Sequence, residues 1–411
     1  MRVDDKKMSD IDNIFDRAAS GKSLVKKRET LTIDYVPEKL PFRDQEAAAL
    51  AQTLSTVFKG ARPSNLLLFG KPGTGKTAVV KTVVDRLVKK SGALGITVDV
   101  PIINAKLANS AYKMLFEIAE HLGLNKEEKK VVHFTGLSMG EATDRILQFI
   151  QNKKMRVILV IDEIDSLVDR NGDDVLYSFT RANERMGKGG FVSLIGISNS
   201  LTFKDKLDPR VRSSLSEEET VFNPYTVEQL RQILSERAKL AFSEGAITDA
   251  AINLCAAMAG REHGDARKAI DLLRVAAELA EREHALRVEE KHVRAAQEKI
   301  EKDTNLEVIK NATTHTKFVM LAITKSKNGN TGEVYEVYSS LCRQAEQEPL
   351  TQRRVTQIIS ELDQLGLVST DIVSQGRYGR SQKIKVAVPL ATVKDALKDD
   401  PTFSDLMSSS D

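Results

Sequence analysis

The sequence predicts an α/β domain built on a parallel sheet, then an all-helical segment, then a small helix-rich module that ends in a hairpin. Three observations predict it. First, short and almost wholly apolar runs ("NLLLFG", "TVDVPIIN", "RVILVID", "FVSLIGISN") alternate with helical patterns between about Leu40 and Asn223. Strands buried on both faces read this way, and a parallel sheet covered by helices on both sides produces them. Second, from Thr226 to about Asn305 apolar residues recur at helical spacing, as in "LRQILSERAKLAF" and "ARKAIDLLRVAAELA", the mark of packed amphipathic helices. Third, from about Thr314 to Val388 three further helical patterns precede two short strands around the glycine-bearing turn "SQGRYGRSQK", and helix, helix, helix, hairpin is the winged-helix form of the helix-turn-helix.

The chain's 411 residues suit two or three domains, and 41% hydrophobic with 29% charged residues is a globular composition. A net charge of +3 neither requires nor excludes a nucleic-acid partner, so local charge must decide. Cys255 and Cys342 lie far apart in helical contexts, which favours core packing in a reduced compartment over a disulfide or a metal site. The charged N-terminus "MRVDDKKMSDIDNIF" lacks the apolar core of a signal peptide, and no apolar run is long enough to span a bilayer. A cytoplasmic, nucleoid-associated protein without a membrane partner is expected. The expected division is an N-terminal extension (1–32), an α/β domain (33–224), a helical lid (225–305), a winged-helix module (306–395) and a tail (396–411). "FNPYTVEQL" marks the second boundary: Pro224 breaks the pattern, and Thr226 with Gln229 fits a capping box. The tail "SDLMSSSD" reads as disordered.

The chemistry is concentrated in "GKPGTGKTA" after the first strand. Gly70, Gly75, Lys76 and Thr77 satisfy G-x-x-x-x-G-K-T. Backbone N–H groups of Gly70, Pro72–Gly73–Thr74–Gly75 (Pro72 itself donating none) and the helix start through Ala78 would surround the phosphates of ATP or ADP. Lys76 reaches the outer phosphates, and the Thr77 hydroxyl ligates Mg²⁺. In "RVILVIDEID", Asp162 ends a buried strand where it can hold Mg²⁺, and Glu163 is placed to polarise an attacking water. For Asp165 a helix-capping or solvated role fits at least as well as a catalytic one. Asn199 ends the next strand and is able to orient water, although Asn also begins turns. Of Arg210 and Arg212 in "LDPRVRSSL", one is a candidate for stabilising a neighbour's γ-phosphate, the alternative being two solvated arginines. On the base side, Tyr35, Val36 and Pro37 offer an apolar edge, Arg43 holds their segment, and Tyr225 and Arg237 flank the start of the lid.

In the third module the helix starting at Gln352, Arg353, Arg354 and Gln357 would enter the major groove, its side chains reaching base edges or phosphates. The turn carries Arg377, Tyr378, Arg380 and Lys383, suited to the backbone and minor groove.

The P-loop, "VIDEID", "ISN", "DPRVRSSL" and "GDARKAIDLLR", in that order before a helical lid, resemble an AAA+ ATPase. The resemblance implies that Asn199 acts as the first sensor, Arg210 as the arginine finger and Arg267 as the second sensor. With "YVPEKLPFRDQE", "NPYTVEQLRQILSERA" and "RRVTQIISELDQLGLV", the chain from about Ile33 to Val388 looks like the archaeal replication initiators related to the origin recognition complex and its helicase-loading cousin. That resemblance implies slow ATP hydrolysis used as a conformational switch, double-stranded origin DNA, the replicative helicase and related initiator subunits as partners, and a second DNA contact in "NAKLANSAYKMLFEIAEHLGL", where Lys106, Tyr112 and Lys113 are the candidates. A transcription regulator with an ATPase switch and a clamp-loader-type remodeller are the alternatives. The wing argues against the remodeller.

Overall fold

A computed structural model describes residues 23–408 apart from 109, 128–136, 187–189, 328 and 375–379. Met1–Val293 and Arg294–Asp411 form two compact units. The sequence-expected boundary at 305/306 falls inside the helix Glu290–Lys310.

In the first unit the strands β1 (Leu66–Gly70), β2 (Ile102–Asn104), β3 (Arg156–Asp162), β4 (Phe191–Ser198) and β5 (Glu218–Phe222) form one sheet in the order β2-β3-β4-β1-β5. Every pairing is parallel. Alternate residues serve opposite faces. Leu66 and Leu68 of β1 pack with Val79, Val80 and Val83 of the following helix, whereas Leu67 and Phe69 join Met114, Ile118 and Ile146 on the other side. That double burial is why the strands read as unbroken apolar runs. The pairing register aligns Phe69 with Ser198 and Ile197 with Asp162. The carboxyl ends of β1, β3 and β4 therefore lie side by side, the edge where open α/β sheets bind ligands.

Two elements depart from expectation. β5 has no counterpart among the expected strands, and the second strand is shorter than "TVDVPIIN", with Asp99 making only an isolated bridge to Val157. The lid follows as the helices Val227–Ala241, Asp249–Arg261 and Ala266–Arg282. Its first helix carries the anticipated capping box: Gln229 N–H donates to Thr226 Oγ1, and Thr226 N–H to Gln229 Oε1. Cys255 is buried in the lid, and burial pushes its thiol up to about 12.

The second unit packs the helices Thr314–Lys325, Thr331–Gln344 and Gln352–Gln364 against an antiparallel hairpin of β6 (Val368–Ser374) and β7 (Arg380–Val386). The helices Leu390–Leu397 and Pro401–Ser408 complete it. The expected disorder of "SDLMSSSD" is corrected over residues 404–408, which continue the helix Pro401–Ser408, while 409–411 lie outside the described residues. Phe403 and Leu406 enter the core, the Phe403 ring 4.7 Å from that of Phe318; this apolar pair outweighs the polar residues around it. Residues 1–22, and Arg377 and Tyr378 of the turn, lie outside the described residues.

Tyr338 is the polar pivot of this unit. Its hydroxyl accepts from Leu350 N–H at 3.0 Å and lies 2.8 Å from His315 Nδ1. Leu350 immediately precedes the N-cap of Gln352–Gln364. Tyr338→Phe keeps the ring and removes the partner of a part-buried N–H, which costs about 1 kcal/mol. A lowered urea midpoint for the full chain's C-terminal unit is the expected result.

Candidate functional site

β1 delivers the chain to the loop 71–75, and the helix Lys76–Ala93 begins at once. Two glycines make the loop possible. Gly73 sits at φ +73°, and a Cβ there would lie 1.7 Å from Asp265 Oδ1 of the lid. Gly75 sits at φ +91°, and a Cβ there would lie 2.7 Å from the Tyr225 hydroxyl. Both the left-handed backbone and the close neighbours require glycine.

Lys76 Nζ donates to Gly70 O (2.6 Å), Lys71 O (2.9 Å) and Asn199 Oδ1 (2.9 Å). Burial pulls its ammonium down to about 8, opposed by Asp162 and reinforced by the charge of Arg267. An incoming phosphate would favour the charged form further. Thr77 Oγ1 donates to Asp162 Oδ2 at 2.8 Å. Asp162 Oδ1 accepts from Glu163 N–H at 2.9 Å. Glu163 adopts φ +54°, ψ +43° at the head of the helix Ile164–Asn171. Asp165 neither caps that helix nor is solvated at both oxygens: its Oδ1 is buried without a hydrogen bond.

A small polar pocket gathers Pro72, Gly73, Thr74, Gly75, Lys76, Thr77, Asp162, Glu163, Asn199 and Arg267. Residues from three strand ends and the lid thus converge on one point. The lid arrives through the helix Ala266–Arg282, whose N-cap Asp265 accepts from Arg267 N–H and Lys268 N–H. Ala266 N–H donates to Gly73 O at 3.2 Å. The adjoining cavity, ≈ 210 Å³, is lined by Tyr35, Val36, Pro37, Ala78, Tyr225, Arg237 and Ile270 among others.

Not every expected residue faces these pockets. Arg43 lines neither. Its guanidinium donates to Thr74 O, Asn223 O, Glu46 and the Tyr225 hydroxyl, and lies 4.1 Å from the centre of the Tyr225 ring. It grips the loop from behind. Arg210 also lines neither pocket; it is exposed, paired with Asp208 and set over the Tyr177 ring at 5.2 Å. Arg212 faces Asp205 at 3.8 Å. Asp265 is not found from the sequence, although "GDARKA" carries the N-cap signal of an Asp before a helix.

In the second unit Gln352, Arg353, Arg354 and Gln357 are exposed at the start of their helix, whose opposite face (Val355, Ile358, Ile359, Leu362) is buried. Arg354 reaches Glu361 at 3.3 Å. Lys383 and Lys385 are exposed on β7, which Arg380 begins. In the first unit "YKMLFEIAEHL" is a helix, Ala111–Leu122, buried along Met114, Leu115, Ile118 and Leu122. Tyr112 packs partly buried against that core, and Lys106 and Lys113 remain exposed. Among the described residues no helix is long and apolar enough to cross a membrane, and no group of three or more His, Cys, Asp and Glu is arranged to hold a metal unaided.

Residues 66–223 match the family described as ATPase family associated with various cellular activities (AAA), 231–298 the Cdc6 AAA+ ATPase-type lid domain, and 307–396 the CDC6 C-terminal winged helix domain. The chain is 48% identical over 396 residues to the ORC1-type DNA replication protein of Thermococcus onnurineus, covering 95% of this chain and 94% of that one. It is 46% identical over 400 residues to the ORC1-type DNA replication protein of Cenarchaeum symbiosum, covering 97% of each. Among solved structures, it is similar to the Aeropyrum pernix ORC1 protein in complex with DNA, with a TM-score of 0.80, 43% identity and coverage of 94% of this chain and 100% of that one.

Proposed function

We propose, since this chain belongs to the family of ORC1-type DNA replication proteins, that it recognises origin DNA under the control of bound nucleotide and assists loading of the replicative helicase. It is an AAA+ protein of the ATPase class with a Cdc6-type lid and a C-terminal winged helix. The observation that carries the switch is the seam at Gly73. There the lid's N-cap and its first N–H rest directly on the phosphate loop, with Arg267 one residue on. Whatever fills the loop must therefore bear on the position of the lid.

In this reading Lys76 and the loop N–H groups bind the phosphates, Asn199 holds Lys76 and orients water, and Glu163 accepts the water's proton. Arg267 senses the outer phosphate. The donor set fits Mg²⁺: a hydroxyl and a carboxylate at 2.8 Å are hard oxygen ligands, and this ion takes one or two protein ligands beside phosphate and water. Thr77 and Asp162 would hold it. When bound, it neutralises phosphate charge. Hydrolysis is slow and resets the switch. Arg353, Arg354 and Gln357 read the major groove, and Lys383, Arg380 and the turn contact the backbone. Lys106 and Lys113 supply a second DNA contact. Related initiator subunits and the helicase are the protein partners.

Mapping chromosomal binding sites tests this reading. Clusters of repeats at one or a few replication start sites are expected; binding scattered over promoters overturns the initiator role in favour of a regulator. On an origin duplex, Arg353→Ala with Arg354→Ala should cost about 1–3 kcal/mol for each base that the helix no longer reads, and much less on a scrambled duplex. Equal weakening on both, in titrations at two salt concentrations, would leave the helix a positioning role only.

A further inference from the structure

The wall against the base-side cavity is held by the lid. The residues just before that wall, 23–31, are fastened to the lid. Lys26 N–H and Lys27 N–H donate to Ala241 O at 2.6 and 3.1 Å, Ser243 N–H donates to Leu24 O, and Val25 bridges Phe242. At the end of the third lid helix, one carboxylate gathers the strand: Glu281 accepts from Ser23 Oγ at 2.8 Å and Leu24 N–H at 2.9 Å, and it pairs with Arg28. Leu24, Val25 and Leu31 are buried.

Arg237, on the first lid helix, extends this grip to the cavity. It is 8% exposed. Its terminal nitrogens donate to Thr30 O and Tyr35 O, both at 2.9 Å, and its Cζ lies 4.6 Å from the centre of the Tyr35 ring. The bond to Tyr35 O ties residues 33–37 to the lid. The ATPase core takes hold only afterwards, where Arg86 donates to Glu38 O and Arg43 to Thr74 O. Tyr35, Val36 and Pro37 thus line the cavity on a stretch anchored to the lid at one end and to the core at the other.

We propose that Arg237 and Glu281 are positioning residues of the nucleotide site, which make residues 23–37 a lid-borne strap against the base. The nucleoside half of the ligand then holds lid and core together independently of the γ-phosphate that faces Arg267. A nucleoside diphosphate should fix the strap, and an inorganic polyphosphate, which fills only the loop, should not. This rests on the reading of the cavity and loop as one nucleotide site.

Calorimetric titration of the full chain with ADP and with inorganic tripolyphosphate tests it. In Arg237→Ala and Glu281→Ala, affinity for ADP should fall about tenfold, and affinity for tripolyphosphate should stay within about twofold of the unmutated value. Arg237→Lys, whose single ammonium cannot span the two carbonyls in the same way, should rescue little. In the unmutated protein, hydrogen exchange of residues 23–37 should slow with ADP and not with tripolyphosphate. Unchanged ADP affinity, equal losses for both ligands, or equal protection by both overturns the strap. An unmutated chain that binds neither ligand overturns the nucleotide site itself, and the strap with it.

Discussion

Glu163→Gln should retain nucleotide affinity and lower ATP turnover about 10²–10⁴-fold, the usual contribution of a positioned general base. The amide has the shape of the carboxylate but cannot accept the water's proton. The fold should tolerate the change, because the Glu163 side chain does not cap the helix that follows it. What Glu163 does show is cost without structural return. A non-glycine residue at φ +54° is disfavoured by about 1–2 kcal/mol, and backbone strain of this kind gathers at functional sites. Glu163→Gly should therefore keep or raise the melting temperature while losing turnover to the same degree. Lys76→Ala should behave differently and lose binding, since the ammonium that meets the phosphates is gone. Single-turnover ATP hydrolysis beside ADP binding separates these outcomes. Turnover by Glu163→Gln at the unmutated rate would remove Glu163 as the base.

The parts that are legible in the sequence are those whose physics is local. A buried parallel strand must be apolar throughout, and a phosphate loop must place glycines within a few residues of its lysine. β1, β3, β4 and the loop are written in contiguous letters for that reason. β5 is not legible because it is an edge strand: its residues Glu218 and Glu219 are exposed and only Phe222 is buried, so "EETVF" carries neither an apolar run nor an alternation. The last helix escapes a sequence reading because its few apolar residues are interrupted by polar ones and run into a serine-rich end, although Pro401 at its first position is a helix-start signal and Phe403 fills the core. Arg237 and Glu281 pair with residues more than two hundred positions away, and no local pattern announces such a contact. Arg43 is expected from the sequence to hold its own segment, yet its tie to Thr74 O and Asn223 O is visible only when three distant segments meet.

Arg210→Ala should leave ADP binding and the melting temperature of the isolated chain unchanged, yet lower hydrolysis in assemblies about 10³–10⁵-fold, the range for an arginine supplied in trans. Position argues for this. Arg210 lines neither pocket of its own chain and is 66% exposed, so its own nucleotide is not its target. Asp208 aims it: the carboxylate caps the short helix Pro209–Leu215 through Arg210 N–H and takes Nε and Nη2 of the same side chain at 3.0 and 3.2 Å. Among the described residues Nη1 makes no hydrogen bond, and the Tyr177 ring supports the guanidinium. A planar donor held on one edge and open on the other is ready for a phosphate oxygen. Arg210→Lys should rescue poorly, because an ammonium cannot keep Asp208 and a phosphate in that geometry. Asp208→Asn should give an intermediate loss, with the finger present but less well aimed. Mixing Arg210→Ala with Lys76→Ala is the decisive measurement. Neither protein alone should turn over ATP in an assembly, whereas the mixture juxtaposes an intact site on one chain with an intact arginine on the other and should recover part of the rate. Full turnover by a strictly monomeric protein, or a mixture no better than its components, would return Arg210 to the solvent-facing ion pair it makes with Asp208.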